Sequence, residues 1–385
     1  MLTKTKQNHF PSSTEKPEVL PVSRRNEDTA PRKRFSRLPQ YVGVFGELHS
    51  PRREATLLPP RSSGFARGLG MRTHGLRFHV LLLPNVEWAE LKARVVRLEQ
   101  IGLETAALAD HFVDWTNPVV PWFETWTSLA ALAEATSTIR LTTVVTQIPL
   151  RNPAMLARQV LTLDHVSNGR IELGLGTGLT IDPSYVMAGL PNWTPKERVE
   201  RFEEYVDIVG QLLSQEVTTF AGRFYNVERA VMNPRPVQTP RPPLMVAALG
   251  HRMMRHAARF ADTWNSLSFL PTFDEQLDET RARCAAMSRY CDDIGRDRST
   301  LQWSYLMFDA QARPKGGTIS YYESVDRFVD HVSRVAELGI SDIGLYYPLD
   351  PAQLPTFERI ATDVLPELRV LYSASPAAGA TTDSR

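Results

Sequence analysis

Cysteine is nearly absent from this chain: Cys284 and Cys291 are the only two among 385 residues. They fall in one predicted helix, on about the same face, and read as unpaired thiols rather than as a disulfide framework. Long apolar runs are missing as well. None reaches the ~18 residues needed to cross a bilayer, and the N-terminus lacks the apolar core of a secretory signal. A cytoplasmic location with no membrane partner is therefore expected. Charge of one sign is not in excess either: the formal net charge is +1, which argues against nucleic acid or an anionic surface as a partner. Several chemistries lack their motifs. There is no H-E-x-x-H and no Cys/His cluster with zinc spacing, so no metal is expected. There is no G-x-S-x-G elbow, no G-x-x-x-x-G-K-[ST], and no G-x-G-x-x-G after the first strand. Glycosidase-type carboxylate pairs stay open, because Asp and Glu occur throughout.

What is present is a chain 42% hydrophobic and 23% charged, long enough for one large barrel or two ordinary domains. Residues 1–74 differ from the rest. They are crowded with Pro, Arg, Ser and Lys, as in PRKRFSR and PPRSSGFAR. Such a segment buries too little apolar surface to fold and is expected to be disordered. A basic nucleic-acid arm is the alternative reading, and an over-extended reading frame is another, with Met71 as a sensible start. The folded domain is expected over 75–385.

From Leu76 onward, strand and helix patterns alternate. The most regular stretch is Ile139 to Gly178. Ile139 to Ile148 reads as a strand covered on both faces. Asn152-Pro153 reads as a helix start, with Asn as cap and Pro in the first turn. Ser167-Asn168-Gly169 reads as the helix end, and Ile171 to Leu175 as the next strand. Further strands are predicted at Leu76–Leu83, Glu104–Ala109, Leu244–Leu249, Thr263–Leu267, Leu301–Ala310 and Asp342–Tyr347. Helices are predicted after each, the second at Phe123–Thr136 and the last running from Pro351 to about Leu371. An excursion from Thr177 to Pro243 holds a helix (Pro195–Leu213) and a hairpin (Val217–Val227) turning at Ala221-Gly222. Eight strand–helix units fit an α/β fold closed as a (β/α)₈ TIM barrel with insertions.

In such a barrel the chemistry sits on the loops after the strands. Asp110-His111 follows the second strand. An imidazole there can take or give a proton near neutral pH, and an adjacent carboxylate such as Asp110 could orient it. A lone loop histidine is more often without a role; the barrel position brings the two readings level. Gln147 ends the third strand. Gly174, Gly176, Thr177 and Gly178 end the fourth, where missing side chains would let a flat ring approach; a tight turn is the plainer reading. Gly250-His251-Arg252 opens a helix after the fifth, and its free N–H groups suit a phosphate. An ordinary helix start is an equal alternative. Glu172 reads as an acid packed within the barrel layers. Trp193, Phe220, Phe224 and Tyr225 in the excursion read either as walls for an apolar guest or as packing on the barrel.

Several segments, in order, resemble the bacterial luciferase-like superfamily of flavin- and deazaflavin-dependent oxidoreductases. They are ALADHF (Ala107–Phe112), TWTSLAALAEATSTIRL (Thr125–Leu141), RNPAMLARQVLTLDHVSNGRIELGLGTG (Arg151–Gly178), ERVERFEEYVDIV (Glu197–Val209), FAGRFYNV (Phe220–Val227), NPRPVQTPRPPLMVA (Asn233–Ala247) and AARFADTWN (Ala257–Asn265). The resemblance covers the chain from about Leu76 to its end. It implies the same barrel, with a flavin-type cofactor in its mouth.

The pattern DHFxxW, with Asp110, His111 and Trp115, is similar to the segment in coenzyme F420 enzymes such as the sugar-phosphate dehydrogenases. That likeness makes His111 the proton donor or acceptor and Trp115 a pocket wall. It also implies an unusual peptide bond at Val144-Val145, under the ring; without proline there, a cis bond would not be expected from the residues themselves. FMN remains the alternative cofactor. Two departures matter. Leu179 stands where the sugar-phosphate dehydrogenases have glutamate, which argues against a sugar phosphate as substrate. Leu249 replaces a glycine before Gly250. The expectation is thus an F420-dependent oxidoreductase moving a hydride between deazaflavin and a small organic molecule. An FMN- and O₂-dependent monooxygenase and a non-catalytic flavin-binding protein are the alternatives. A homodimer and a separate flavin or F420 reductase are the expected partners.

Overall fold

In the computed structural model, residues 74–312 and 316–373 are described. The expectation for residues 1–74 lies outside them, His74 excepted.

The elements follow the alternation of the sequence. They are β1 (Arg77–Leu82), α1 (Trp88–Gln100), β2 (Thr105–Leu108), α2 (Thr125–Ala135), β3 (Arg140–Thr143), β4 (Thr146–Gln147), α3 (Pro153–Val166) and β5 (Leu173–Gly176). The excursion carries α4 (Ser184–Met187), α5 (Pro195–Ser214), β6 (Val217–Ala221) and β7 (Asn226–Val231). Then come β8 (Leu244–Ala247), α6 (His251–Phe260), β9 (Thr263–Ser266), α7 (Phe273–Asp293), β10 (Gln302–Leu306), α8 (Val325–Ala336), β11 (Asp342–Tyr346), α9 (Leu354–Arg359) and α10 (Leu365–Leu371).

The parallel sheet runs β3-β2-β1-β11-β10-β9-β8-β5-β4. Because β3 and β4 are consecutive halves of one strand, its two ends meet. Leu141 in β3 bridges Ile171 just ahead of β5, which closes the ring. The result is the expected (β/α)₈ barrel. Its strands are buried on both faces, as in β1, where every residue after Arg77 is buried.

Local chemistry sets the helix boundaries. The Asn152 side chain accepts from the N–H groups of Ala154 and Met155, with Pro153 in the first turn. Thr272 and Glu275 form a reciprocal capping box at the start of α7. Gly102, Gly169 and Gly339 follow α1, α3 and α8 at positive φ, as left-handed closing residues do. Both cysteines are buried in α7 and unpaired.

The structure differs from the sequence reading at four places. The third barrel strand is not continuous as the residue pattern alone had it: the cis peptide at Val144-Val145, which the resemblance implied, separates β3 from β4. The second helix begins at Thr125, where the Glu124 carboxylate accepts from the Thr127 N–H. The hairpin turns over 222–225 and its second strand extends to Val231. The final helix is broken by a π-turn at Ile360–Val364.

The interior of the barrel at the N-terminal ends of the strands is filled by charge. Arg77 reaches Asp342 through Nε at 2.9 Å and Glu172 through its two terminal nitrogens at 3.0 and 2.7 Å. Arg140 Nε lies 2.5 Å from Glu172, and buried His79 contacts Asp342 at 3.2 Å. β1 and β5 are not neighbours in the ring, so Arg77 and Glu172 meet across its interior. Glu172 is therefore structural and far from the opposite rim. Burial disfavours both carboxylates, but the guanidinium of Arg77, with Arg140 on Glu172 and His79 on Asp342, outweighs it and holds both acids below their ordinary range.

Candidate active site

At the C-terminal rim of the barrel lies a cavity of about 440 Å³, within the range of small-molecule sites. The ends of β2, β4, β5, β8, β9, β10 and β11 all contribute to its wall. Of the residues singled out in the sequence, His111, Trp115, Val144, Val145, Gln147, Gly176, Thr177, Gly178 and Gly250 line it. Asp110, Gly174, His251 and Arg252 do not.

His111 is placed by the loop after β2. Its Nδ1 lies 2.6 Å from Asp182 Oδ2. Asp182 comes from the excursion after β5, and its side chain is almost wholly buried. Its other oxygen accepts from the Ser184 N–H at 2.8 Å, and Ser184 Oγ accepts from the Phe112 N–H at 2.9 Å. The two loops are thus tied to each other beside the imidazole. Gln147, at the end of β4, completes the arrangement. Its amide donates to the Asp110 carbonyl at 2.8 Å and to Asp182 at 3.0 Å, while its carbonyl accepts from the Tyr185 hydroxyl. Those two bonds use both amide protons, so the 2.9 Å approach of Gln147 Nε2 to His111 Nδ1 is a packing contact.

The geometry assigns the imidazole. With Asp182 as acceptor, Nδ1 carries a proton, and Nε2 is left without a protein partner among the described residues. Burial raises the Asp182 carboxyl, but hydrogen bonds from His111, Ser184 and Gln147 outweigh it and pull it down to about 2. It is an anion at any physiological pH. Trp115 stacks on the His111 ring at 5.8 Å between centroids, and Trp122 meets it edge-on at 5.7 Å. The site can therefore hold a proton at one imidazole nitrogen, beside aromatic surface.

The remaining expected residues have other work. Asp110 does not orient His111. It is buried in an ion pair with Arg151. Gly174 leaves room for the interrupted strand rather than for a ligand: a Cβ there would lie 1.8 Å from the Thr143 carbonyl oxygen. Gly178, at φ +69°, would press a Cβ onto Tyr185 and Gln147. Gly250 opens α6 with no side-chain cap, and nothing lies within 4 Å of its would-be Cβ. His251 turns outward to the Tyr290 hydroxyl at 2.6 Å, and Arg252 is exposed.

Sequence reasoning missed Asp182. The only local signal was Asp182-Pro183-Ser184, which reads as an ordinary helix cap. The excursion aromatics took the packing role: Trp193, Phe220 and Tyr225 lie against the barrel core, and Arg201 covers the rings of Trp193 and Phe224. None of the four lines the cavity. Thr177, Gly178, Leu179 and Asp182 are what the excursion brings to it.

Residues 73–303 match the luciferase-like monooxygenase family. The chain belongs to that family. Among curated relatives, an F420-dependent glucose-6-phosphate dehydrogenase of Intrasporangium calvum is 34% identical over 221 residues, 54% of this chain and 63% of its own. The aligned stretch thus covers less than two thirds of that relative. The enzyme of the same name from Amycolatopsis mediterranei is 31% identical over 326 residues, 73% of this chain and 95% of its own. The solved coenzyme F420-dependent tetrahydromethanopterin reductase of Methanopyrus kandleri superposes with a TM-score of 0.62 at 18% identity, covering 76% of this chain and 99% of that one. At that identity the likeness speaks for the barrel alone.

Proposed function

We propose that the protein is an oxidoreductase that works with coenzyme F420, with His111 managing the proton of the reaction. The observation that carries this reading is the His111–Asp182 pair at the mouth of a largely apolar barrel cavity in a chain of this family. The names of the curated relatives support the choice of deazaflavin.

The residues present suit such a group. The cis peptide at Val144-Val145 and the turn of Gly176, Thr177 and Gly178, all in the cavity wall, offer a surface for a planar ring. The uncapped start of α6, at Gly250 to Arg252, offers N–H groups and the positive end of the helix dipole to a phosphate. When bound, the deazaflavin would supply or take up a hydride. The chain's own contribution is to bind, orient and screen. Asp182 fixes the tautomer of His111; Nε2 takes a proton from the substrate or returns it. Trp115 and Trp122 hold the imidazole and exclude water from one side.

Among the described residues no group of acids, histidines and cysteines is arranged to hold a metal, and no helix is long and apolar enough to cross a membrane. The reading also includes a homodimer in the cytoplasm, a small-molecule substrate and a separate enzyme that reloads the cofactor. Anaerobic assay tests it. Reduced deazaflavin should be reoxidised by an organic acceptor without O₂. Product formed only with reduced FMN and O₂ would move the protein to the monooxygenase alternative.

A further inference from the structure

The charged interior of the barrel reaches the cavity wall through one chain of side chains. Asn265, in β9, is 1% exposed and lines the cavity. In register it stands beside Ser304 of β10, and Ser304 beside Asp342 of β11. Asp342 meets Arg77 inside the barrel, and register neighbours on parallel strands share a face, so all three side chains point inward. Asn265 Nδ2 donates to Ser304 Oγ at 2.9 Å. No other side-chain bond of Asn265 is made among the described residues. Its carbonyl oxygen and one amide proton are therefore unused.

The charge beyond Ser304 decides which way this amide faces. Burial disfavours the Asp342 anion, but Arg77, His79 and the Ser304 hydroxyl outweigh it. A carboxylate only accepts. Asp342 Oδ1 takes Arg77 Nε at 2.9 Å, while Oδ2 is buried and short of a donor. Ser304 has one proton to give, and the acid draws it. Its oxygen can then only accept from the other side, so the group that meets it must present an N–H. The amide of Asn265 thus keeps its nitrogen on Ser304 and leaves Oδ1 as an acceptor at the wall.

Other polar groups in the wall are placed differently. The hydroxyls of Thr116 and Thr177 donate to Asp114 at 2.7 Å and to the Gly178 carbonyl at 3.3 Å. Trp122 Nε1 is buried without a partner and can only donate. His111 Nε2 is a second acceptor, held by Asp182 rather than by the barrel interior. A buried carbonyl left without a donor is costly, so a bound molecule that offers none is disfavoured.

We propose that Asn265 is a specificity-determining residue of the cavity. Its Oδ1 accepts a hydrogen bond from an N–H or O–H of the bound molecule, and Ser304 is the positioning residue that keeps it turned that way. The donor can be the imide N–H of a flavin-type ring or a group on the molecule beside it; the chemistry recognised is the same. The inference rests on the cavity being the ligand site, as proposed above, and not on which cofactor fills it.

Matched probes test it. 2-Naphthol and 2-methoxynaphthalene differ by one O–H replaced with O–CH₃, and their own fluorescence reports binding to the full chain without cofactor. 2-Naphthol should bind about tenfold tighter, as expected when one neutral hydrogen bond satisfies a buried acceptor. Asn265→Leu should bring the two affinities within about twofold of each other. Ser304→Ala is a smaller change and serves equally if Asn265→Leu does not fold; it frees the amide to turn and should also remove the preference, with both compounds still bound. His111→Ala should keep the preference. In the second arm the same variants are titrated with F420. A loss of at least tenfold in Asn265→Leu assigns the donor to the cofactor ring, and a smaller change assigns it to the other molecule in the cavity. Equal binding of the two naphthalenes by the wild type, a preference kept in Asn265→Leu or Ser304→Ala, or one lost in His111→Ala overturns the inference and leaves the cavity reading standing. Failure of both naphthalenes and of F420 to bind would take down the cavity reading itself, and the inference with it.

Discussion

His111 and Asp182 stand 71 residues apart in sequence, yet Nδ1 of one lies 2.6 Å from Oδ2 of the other. The pair joins the loop after β2 to the excursion after β5, and it gives the imidazole one tautomer and one exposed nitrogen. Replacement of His111 by alanine should lower turnover by about 10²- to 10⁴-fold, the usual worth of a positioned acid–base group, with cofactor affinity nearly unchanged. Stopped-flow measurement of the hydride-transfer step checks this.

Asp182→Asn should act through His111. Because the acid stays ionised down to about pH 2, the substitution removes a negative charge at every assay pH. Rates should therefore fall across the whole profile, by about 10- to 100-fold, rather than on one limb only. Unchanged KM with a lowered kcat would distinguish this from damage to the pocket. A profile identical to that of the wild type would remove Asp182 from the account.

Part of this was legible from the residues and part was not. The alternation of patterns from Leu76 predicted eight barrel strands, and the position of His111 at a strand end marked it. Asp182 carried no such mark, because its role depends on an excursion folding back over the rim. The break in the third strand could not be read from Val144 and Val145, which favour continuous strand. Gly174 was assigned to a ligand because a missing Cβ signals close approach without saying what approaches; the neighbour is Thr143. Glu172 lies in a strand whose inward face at that level is a charge network, visible only once Arg77 and Arg140 are brought round the ring.

That network predicts the acid stability of the fold. Glu172 and Asp342 are both held below the ordinary carboxylate range. Their contribution is complete above the unfolded pKa of about 4 and is lost as pH falls through the lower folded values. Glu172→Gln leaves Arg77 and Arg140 short of a charge and should cost about 3–5 kcal/mol at neutral pH. Urea denaturation at pH 7 and at pH 3 measures both, with the difference between variant and wild type shrinking at the lower pH.

Two glycines at the rim should behave in opposite ways. Gly174→Ala sets a Cβ against the Thr143 backbone and should destabilise the fold by more than about 3 kcal/mol, since backbone gives way poorly. Gly250→Ala meets nothing within 4 Å and should change stability by less than about 0.5 kcal/mol. Its effect should appear instead in cofactor affinity. Thermal melts and ligand titration of the two variants separate the roles.

The thiols offer a probe of folding itself. Cys284 is buried and its thiol is pushed up to about 12; burial also raises Cys291. Neither should react with a thiol reagent in the native protein at pH 8, and both should react on denaturation. Rapid labelling of the native protein would show that α7 opens.

The most direct test is a head-to-head titration of the purified protein with coenzyme F420 and with FMN, read by quenching of tryptophan fluorescence from Trp115 and Trp122. The account predicts saturable binding of F420 at least tenfold tighter than FMN, and F420 weakened by Gly250→Ala. Tighter binding of FMN, or F420 binding indifferent to the rim of the barrel, would contradict it.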